Sequence, residues 1–151
     1  MKSSTNTLLM AMFELHPKLA QDTFYIADLP LCRLLLMNDR RYPWLILVPR
    51  QASLTEVYQL DQVQQHQLWD ESALVGKRLM QFTHADKLNI AALGNQVPQL
   101  HVHHVARFHN DSSWPAPIWG LGTPQPYQPE QSQNVIASLQ QIFADVSTHL
   151  D

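Results

Sequence analysis

The sequence predicts an α+β fold: an antiparallel sheet of about five strands, one long helix after the third strand, and a C-terminal helix. Short apolar runs bounded by turn-forming residues recur along the chain and are typical of strands. Two longer stretches, residues 61–83 and 130–150, instead repeat apolar residues at helical spacing. The length of 151 residues fits one domain with a continuous core, so we expect a single site.

The first elements follow one another closely. Residues 13–20 predict a short helix or turn, and residues 23–27 and 32–37 predict two strands around an Asp-Leu-Pro turn. A polar loop over residues 38–41 comes next. The apolar run Trp44–Pro49 is too short for a typical helix and indicates a strand buried on both faces.

The second half of the chain begins with the longest predicted helix. Asp61 and Gln64 stand at capping-box spacing, and apolar residues then recur at helical spacing to about Thr83. Residues 87–93 and 100–108 predict two more strands, joined by a connector rich in turn residues.

The composition then changes to a Trp/Pro-rich segment, residues 111–126, which we call the strap. Repeated proline excludes regular structure there, whereas Trp114, Ile118 and Trp119 require burial. Trp114 and Trp119 could stack on a nucleotide base, but packing against their own domain is the favoured interpretation. The strap leads into the predicted helix over residues 130–150.

Composition excludes several classes of function. A net charge of -3 with scattered arginines does not form the basic stripe that polymeric nucleic acid requires. Charged residues are only 15% of the chain, which indicates extra buried surface such as a subunit interface. The single Cys32 cannot form an internal disulfide, and we expect a buried, reduced thiol.

No apolar stretch approaches the roughly 20 residues of a membrane helix. The N-terminal residues 1–16 have too short an apolar core for a signal peptide. We therefore expect a soluble, cytoplasmic protein without a membrane partner.

The most informative stretch contains three histidines within four residues. Strand alternation predicts that one face carries Gln99, His101, His103, Val105 and Arg107. His104 then points to the opposite face. Two imidazoles on one face can share a ligand, and imidazole is a competent nucleophile near neutral pH, which suits phosphate chemistry.

Two other interpretations of the histidines remain open. They could be ordinary polar residues on a solvated sheet face. They could also form part of a metal site, which needs a further His or a carboxylate. No acidic residue follows the cluster until Asp111.

The segment Gly94–Arg107 resembles the signature of the histidine-triad hydrolases and transferases, whose motif alternates histidine with apolar residues. The resemblance extends to Lys87–Gly94, similar to the strand and glycine turn before that motif, and to Asn38–Pro49, similar to the nucleotide-pocket strand pair. It covers roughly residues 13–110. It implies an α+β fold of the histidine-triad type, in which two sheets pair in a homodimer.

The resemblance also implies a reaction. His101 would attack the α-phosphorus of a nucleotide and form a nucleotidyl-histidine intermediate, with its tautomer fixed by a backbone carbonyl. His103 and Gln99 would contact the same phosphate. The implied substrates are dinucleoside polyphosphates, nucleoside phosphoramidates or nucleotide sugars, and no cofactor or protein-bound metal is implied. Nucleotide-binding roles are implied for Asn38, Asn89 and Asn95, which are equally plausible as loop or turn residues.

The sequence departs from the family pattern at two positions. Gln99 stands where the first histidine of the motif is expected, and Trp44 stands near the position of a further phosphate-contacting histidine. Glutamine can donate a hydrogen bond but cannot exchange a proton at neutral pH. The alternative function is therefore a nucleotide-binding module with little or no turnover. Arg107 is left outside the catalytic set, because an arginine at a strand end is more often structural.

Overall fold

The computed structural model describes residues 12–148 and confirms the predicted α+β class. Five antiparallel strands form one sheet in the order β1-β2-β3-β5-β4. In chain order the elements are α1 (Pro17–Asp22), β1 (Thr23–Asp28), β2 (Cys32–Met37), β3 (Trp44–Pro49), α2 (Gln62–Thr83), β4 (Lys87–Ala91), β5 (Val102–Arg107) and α3 (Pro129–Ile142). A short 3₁₀ turn over Val57–Gln59 precedes α2.

The sheet is covered on both sides, as the apolar run of β3 predicts. One side, the helix face, packs Leu45, Leu47 and Val102 against α2 and α3. The other side, the strap face, packs Trp44, Ile46, Val105 and their neighbours against Ile118 of the strap. Every residue of β3 is therefore buried.

Three element boundaries differ from the predicted ones. Helix α1 begins at Pro17, because the His16 side chain caps it by accepting a hydrogen bond from the Lys18 amide. Strand β4 ends at Ala91 and β5 begins at Val102, since the turn-rich connector between them takes more residues than expected. The predicted elements themselves are confirmed.

The C-terminal helix is also shorter than predicted. It ends at Ile142, where the buried Phe143 leaves helical geometry. The chain then turns back onto the sheet, and the amide of Thr148 donates to the Asp28 carbonyl at the end of β1. The residues predicted to form the last turns of the helix are therefore attached to β1 instead. Residues 149–151 lie outside the described part of the chain.

The long helix α2 is tied to the β1–β2 turn by one buried carboxylate. The capping box of Asp61 and Gln64 is confirmed at its start. Further along, Glu71 accepts hydrogen bonds from the amides of Leu31 and Cys32, both at 2.9 Å. A buried carboxylate is stable only when it is hydrogen-bonded in this way, so Glu71 fixes the helix against the hairpin.

The strap lies on its own domain, as predicted. The Tyr42 hydroxyl contacts the hydroxyls of Ser112 and Ser113, and Arg41 donates to the Leu121 carbonyl at 3.1 Å. Near the strap's end, the Arg40 amide donates to a carbonyl of residue 125. Residues 40–42, between β2 and β3, thus anchor the strap at several points.

Two further expectations concern Cys32 and membrane helices. Cys32 is free and buried, as predicted, and burial raises the pKa of its thiol. Among residues 12–148, no helix combines the length and apolarity needed to cross a bilayer. Most of the N-terminal stretch considered as a signal peptide lies outside the described residues.

We expect Glu71→Gln to lower the free energy of unfolding by roughly 2 to 3 kcal/mol, because one of two buried backbone donors would face an amide N–H group instead of an oxygen. Urea denaturation of the variant and the wild type measures the change. Asp70→Asn is the matched control, since Asp70 is the exposed neighbour of Glu71 on α2. Equal losses in both variants would contradict the structural role of Glu71.

Candidate functional site

His101 and His103 lie together on the strap face at the start of β5. Their ring centroids are 4.8 Å apart in an edge-to-face arrangement. His101 immediately precedes the strand and is 7% exposed, and His103 is 5% exposed. The predicted alternation is therefore confirmed, whereas the interpretation of a solvated sheet face is wrong.

The ring of His101 is held in one tautomer. Its Nδ1 atom lies 2.7 Å from the backbone carbonyl oxygen of Gln99, which can only accept. Nδ1 therefore carries the proton, and Nε2 presents a free lone pair. Burial lowers the pKa of His101, although the Gln99 carbonyl opposes this, so the ring is neutral and nucleophilic at pH 7.

The ring of His103 is held in the opposite tautomer. The indole N–H of Trp44 donates to its Nδ1 atom at 3.0 Å, so the proton of the neutral ring lies on Nε2. Burial, together with His101 and His104, lowers the pKa of His103 to about 3. His103 is therefore a neutral imidazole that offers an N–H donor.

The pairing of β3 with β5 explains the contact between Trp44 and His103. Ile46 pairs with His103, and Trp44 lies two residues further on the same face. A diagonal neighbour across an antiparallel pair is within reach of an aromatic side chain. The sequence marks Trp44 as a departure from the family pattern but does not reveal that it sets a tautomer.

Trp119 of the strap completes an aromatic group around His103. Its ring centroid lies 5.4 Å from that of His103 and 6.5 Å from that of Trp44. Its buried indole N–H has no hydrogen-bond partner within residues 12–148. An unpaired buried donor is costly, so this atom is a candidate contact for a ligand. Trp114 instead packs on His109 and Arg107.

The side chain of Gln99 contacts the N-terminal segment. Its Oε1 atom accepts from the backbone amide of His16 at 2.8 Å, and its Nε2 atom donates to the Glu14 carbonyl at 2.9 Å. The family resemblance implies that the side-chain amide of Gln99 contacts the phosphate. In this structure two backbone groups, of Glu14 and His16, bind that amide.

The three predicted asparagines lie directly after β2 (Asn38), on β4 (Asn89) and in the connector between β4 and β5 (Asn95). Asn38 accepts a hydrogen bond from the Tyr127 amide after the strap, and Asn89 accepts one from Arg107. Asn95 is exposed in the connector between β4 and β5. In the part of the chain that is described, none of the three is hydrogen-bonded to His101 or His103.

Arg107 shares the face of the histidines but is fully engaged. It forms a buried ion pair with Asp111 at 2.8 Å and also donates to Asn89 and Ser113. The Arg107 hydrogen bonds lower the pKa of Asp111 to about 2, against its partial desolvation. Arg107 therefore holds the start of the strap, consistent with its exclusion from the catalytic set.

His104 points to the helix face, as predicted. It is fully buried, and its Nε2 atom lies 2.7 Å from the Ser72 hydroxyl of α2. Burial lowers its pKa to about 4. His104 joins the sheet to the helix and does not face the His101 pair.

Within residues 12–148, no group of three or more His, Cys, Asp or Glu side chains is arranged to hold a metal ion. The metal-site alternative therefore has no third ligand among them. What the arrangement can do is bring a neutral nucleophile and a neutral N–H donor to one anionic centre.

Comparisons with known proteins show what this chain is similar to. The HIT domain family model matches residues 18–110. A histidine triad protein from Marinobacter aquaeolei is 46% identical, with a TM-score of 0.87 and coverage of 90% of this chain and 99% of that one. A histidine triad protein from Bradyrhizobium japonicum is 48% identical, with a TM-score of 0.83 and coverage of 85% and 96%. Among curated proteins, none matches the chain.

A third similar structure is a histidine triad protein from Sinorhizobium meliloti. It is 45% identical to this chain, with a TM-score of 0.85, and the match covers 87% of this chain and 98% of that one. Each of the three matches therefore spans most of this chain and nearly all of the other.

The buried histidines predict that the stability of the fold decreases as the pH decreases below 6.5. The folded pKa values of His103 and His104 are about 3 and about 4, whereas an unfolded histidine titrates near 6.5. Below pH 6.5 the unfolded chain therefore binds protons that the folded chain does not. We expect the free energy of unfolding to fall by about 3 kcal/mol between pH 6.5 and pH 5.

Urea denaturation across that pH range measures this slope. His104→Gln should remove roughly half of it, because one titrating ring is lost. His66→Asn, at an exposed position of α2, should leave it unchanged. A slope equal in all three proteins would contradict the assignment.

The Trp44 contact predicts a measurable tautomer. Long-range ¹H–¹⁵N spectra of the imidazoles should give a protonated Nε2 and a bare Nδ1 for His103 at pH 7. Trp44→Phe removes the indole donor, and we expect His103 to become a mixture of tautomers. The control is Trp69→Phe on the exposed surface of α2. A protonated Nδ1 of His103 in the wild type would refute the arrangement.

Proposed function

The chain belongs to the HIT domain family, and from this premise we propose that it hydrolyses or transfers nucleotidyl groups through His101. The observation that carries the proposal is the hydrogen bond from Nδ1 of His101 to the Gln99 carbonyl. It leaves the Nε2 lone pair free on a ring that burial keeps neutral. A nucleophile is thus prepared without a carboxylate partner.

In the first step, Nε2 of His101 attacks the α-phosphorus in line with the leaving group. The bond from phosphorus to the leaving group breaks as the nitrogen–phosphorus bond forms. The ring becomes positively charged, and the Gln99 carbonyl stabilises that charge through the Nδ1–H group. Gln99 is therefore a positioning residue through its backbone.

His103 acts on the phosphate oxygens. Its Nε2–H donor, set by Trp44, can bind a non-bridging oxygen as negative charge develops there. Because catalysis of phosphoryl-type transfer depends mainly on positioning and electrostatic stabilisation, a fixed neutral donor is useful. In the second step, water or another acceptor attacks the nucleotidyl-histidine and frees His101.

We propose a dinucleoside polyphosphate, a nucleoside phosphoramidate or a nucleotide sugar as the class of substrate. All three contain a nucleotidyl phosphorus with a leaving group, which is what the His101 mechanism requires. Asn38, Asn89 and Asn95 stay proposed nucleotide contacts, Asn38 and Asn89 through atoms not already committed to Tyr127 and Arg107.

We also propose a homodimer. Strand β4 is an edge strand of the sheet, and its neighbourhood exposes Ile90 at 45% and Leu93 at 46%. An edge strand with exposed apolar side chains favours pairing with a second sheet. Pairing along β4 would cover both side chains.

We expect His101→Ala to lower turnover of an adenylated fluorogenic amine or of a diadenosine polyphosphate roughly a thousandfold or more, because the covalent route is lost. Steady-state rates measure the loss. Intact-mass spectrometry of reactions quenched with denaturant at alkaline pH, where the nitrogen–phosphorus bond survives, should detect the nucleotidyl adduct on the wild type only. His66→Ala is the control with an unrelated exposed histidine.

The outcomes separate the two candidate functions. Equal background rates in wild type and His101→Ala, with AMP still bound, would support the nucleotide-binding module that Gln99 in place of histidine suggests. A protein that neither turns over these substrates nor binds AMP would overturn both.

A further inference from the structure

Gln99 connects the nucleophile to a segment before the sheet. Its backbone carbonyl accepts from His101, and its side chain bonds the Glu14 carbonyl and the His16 amide. Glu14 and His16 are 85 and 83 positions away in sequence. Gln99, which stands where the first histidine of the motif is expected, therefore positions both the ring of His101 and the backbone of His16.

The ring of His16 has a defined tautomer. Its Nδ1 atom accepts from the Lys18 amide at 3.0 Å, where it caps α1. A neutral ring that accepts at Nδ1 carries its proton on Nε2, so that atom is a donor. The ring is only partly buried, and its charged form lowers the pKa of His101, which is consistent with a position beside the nucleophile.

On the basis of the nucleotide site proposed above, we propose that His16 is a third imidazole of the site and donates a hydrogen bond from Nε2 to an oxygen of the substrate phosphate. Gln99 has no imidazole of its own, but its side chain holds the backbone of His16. The ring of His16 would then take the place of the imidazole that is missing at position 99. The ligand chemistry is a phosphate monoester or diester anion.

The surroundings of His16 favour an anion over a cation. His101 and His103 lie on the same side of the sheet as the segment, which packs on the strap-face cluster through Phe13 and Leu15. Neutral N–H donors that converge in a partly dehydrated site bind an anion more strongly than they would in water. The donors of His16 and His103 would thus act on one phosphate from two segments.

The test is a variant that keeps the cap and removes the donor. His16→Asn retains an acceptor for the Lys18 amide, because asparagine is among the best N-cap residues, but it has no atom at the position of Nε2. We expect the dissociation constant for AMP to rise roughly tenfold. Affinity for adenosine, which has no phosphate, should stay unchanged. Calorimetric titration measures both, with His66→Asn as the control.

A double-mutant cycle tests the role of Gln99. If Gln99 acts through His16, then Gln99→Ala should weaken AMP binding about as much as His16→Asn, and the double variant should be no weaker than either. Gln99→Glu keeps the acceptor for the His16 amide and should recover part of the loss.

Each result decides the proposal. Unchanged AMP affinity in His16→Asn would overturn the His16 contact while leaving the His101 function intact. Equal losses for AMP and adenosine would overturn it too, since they would indicate a structural role only. Failure of the wild-type protein to bind AMP would overturn the nucleotide site itself, and His16 with it.

Discussion

The register between β3 and β5 is the constraint on which the site depends. Ile46 pairs with His103 and Leu45 with His104, so His103 faces the strap and His104 faces α2. A slip of one residue would exchange the two faces, placing His101 and His103 against the helices. The register is protected because β3 is buried on both faces, and the two faces pack into apolar clusters of different residues.

The same register gives each histidine a different chemical role. His101 donates to a carbonyl, His103 accepts from an indole, and His104 contacts a hydroxyl. Burial keeps all three rings neutral at pH 7, so their function depends on which nitrogen carries the proton. The family resemblance leads us to expect a further histidine near position 44, where this chain has Trp44. Tryptophan cannot titrate, but its N–H fixes the neighbouring ring.

The sequence predicts local features well and distant contacts poorly. Alternation with a period of two is a local property, so it places His101 and His103 on one face without knowledge of the fold. Capping and apolar spacing likewise predict α2 closely. The tautomer of His103 depends instead on Trp44, 59 residues away, and the Gln99 side chain bonds residues over 80 positions away. Neither partner can be found from local pattern. The early end of α3 could not be predicted either, because it depends on the distant contact of Thr148 with Asp28.

The segments on either side of the matched region, residues 18–110, both cover the strap face. Residues 13–16 reach it through Gln99, and the strap reaches it through Arg107, Tyr42 and Trp119. The central region therefore supplies the nucleophile and its strand, whereas the flanking segments supply much of what surrounds them. Burial is the main cause of the lowered pKa of His101 and His103, so the flanking segments that bury these rings help to keep them neutral. A chain reduced to the central region would keep the histidines but expose them to water, and their neutral, directional hydrogen bonds would weaken accordingly.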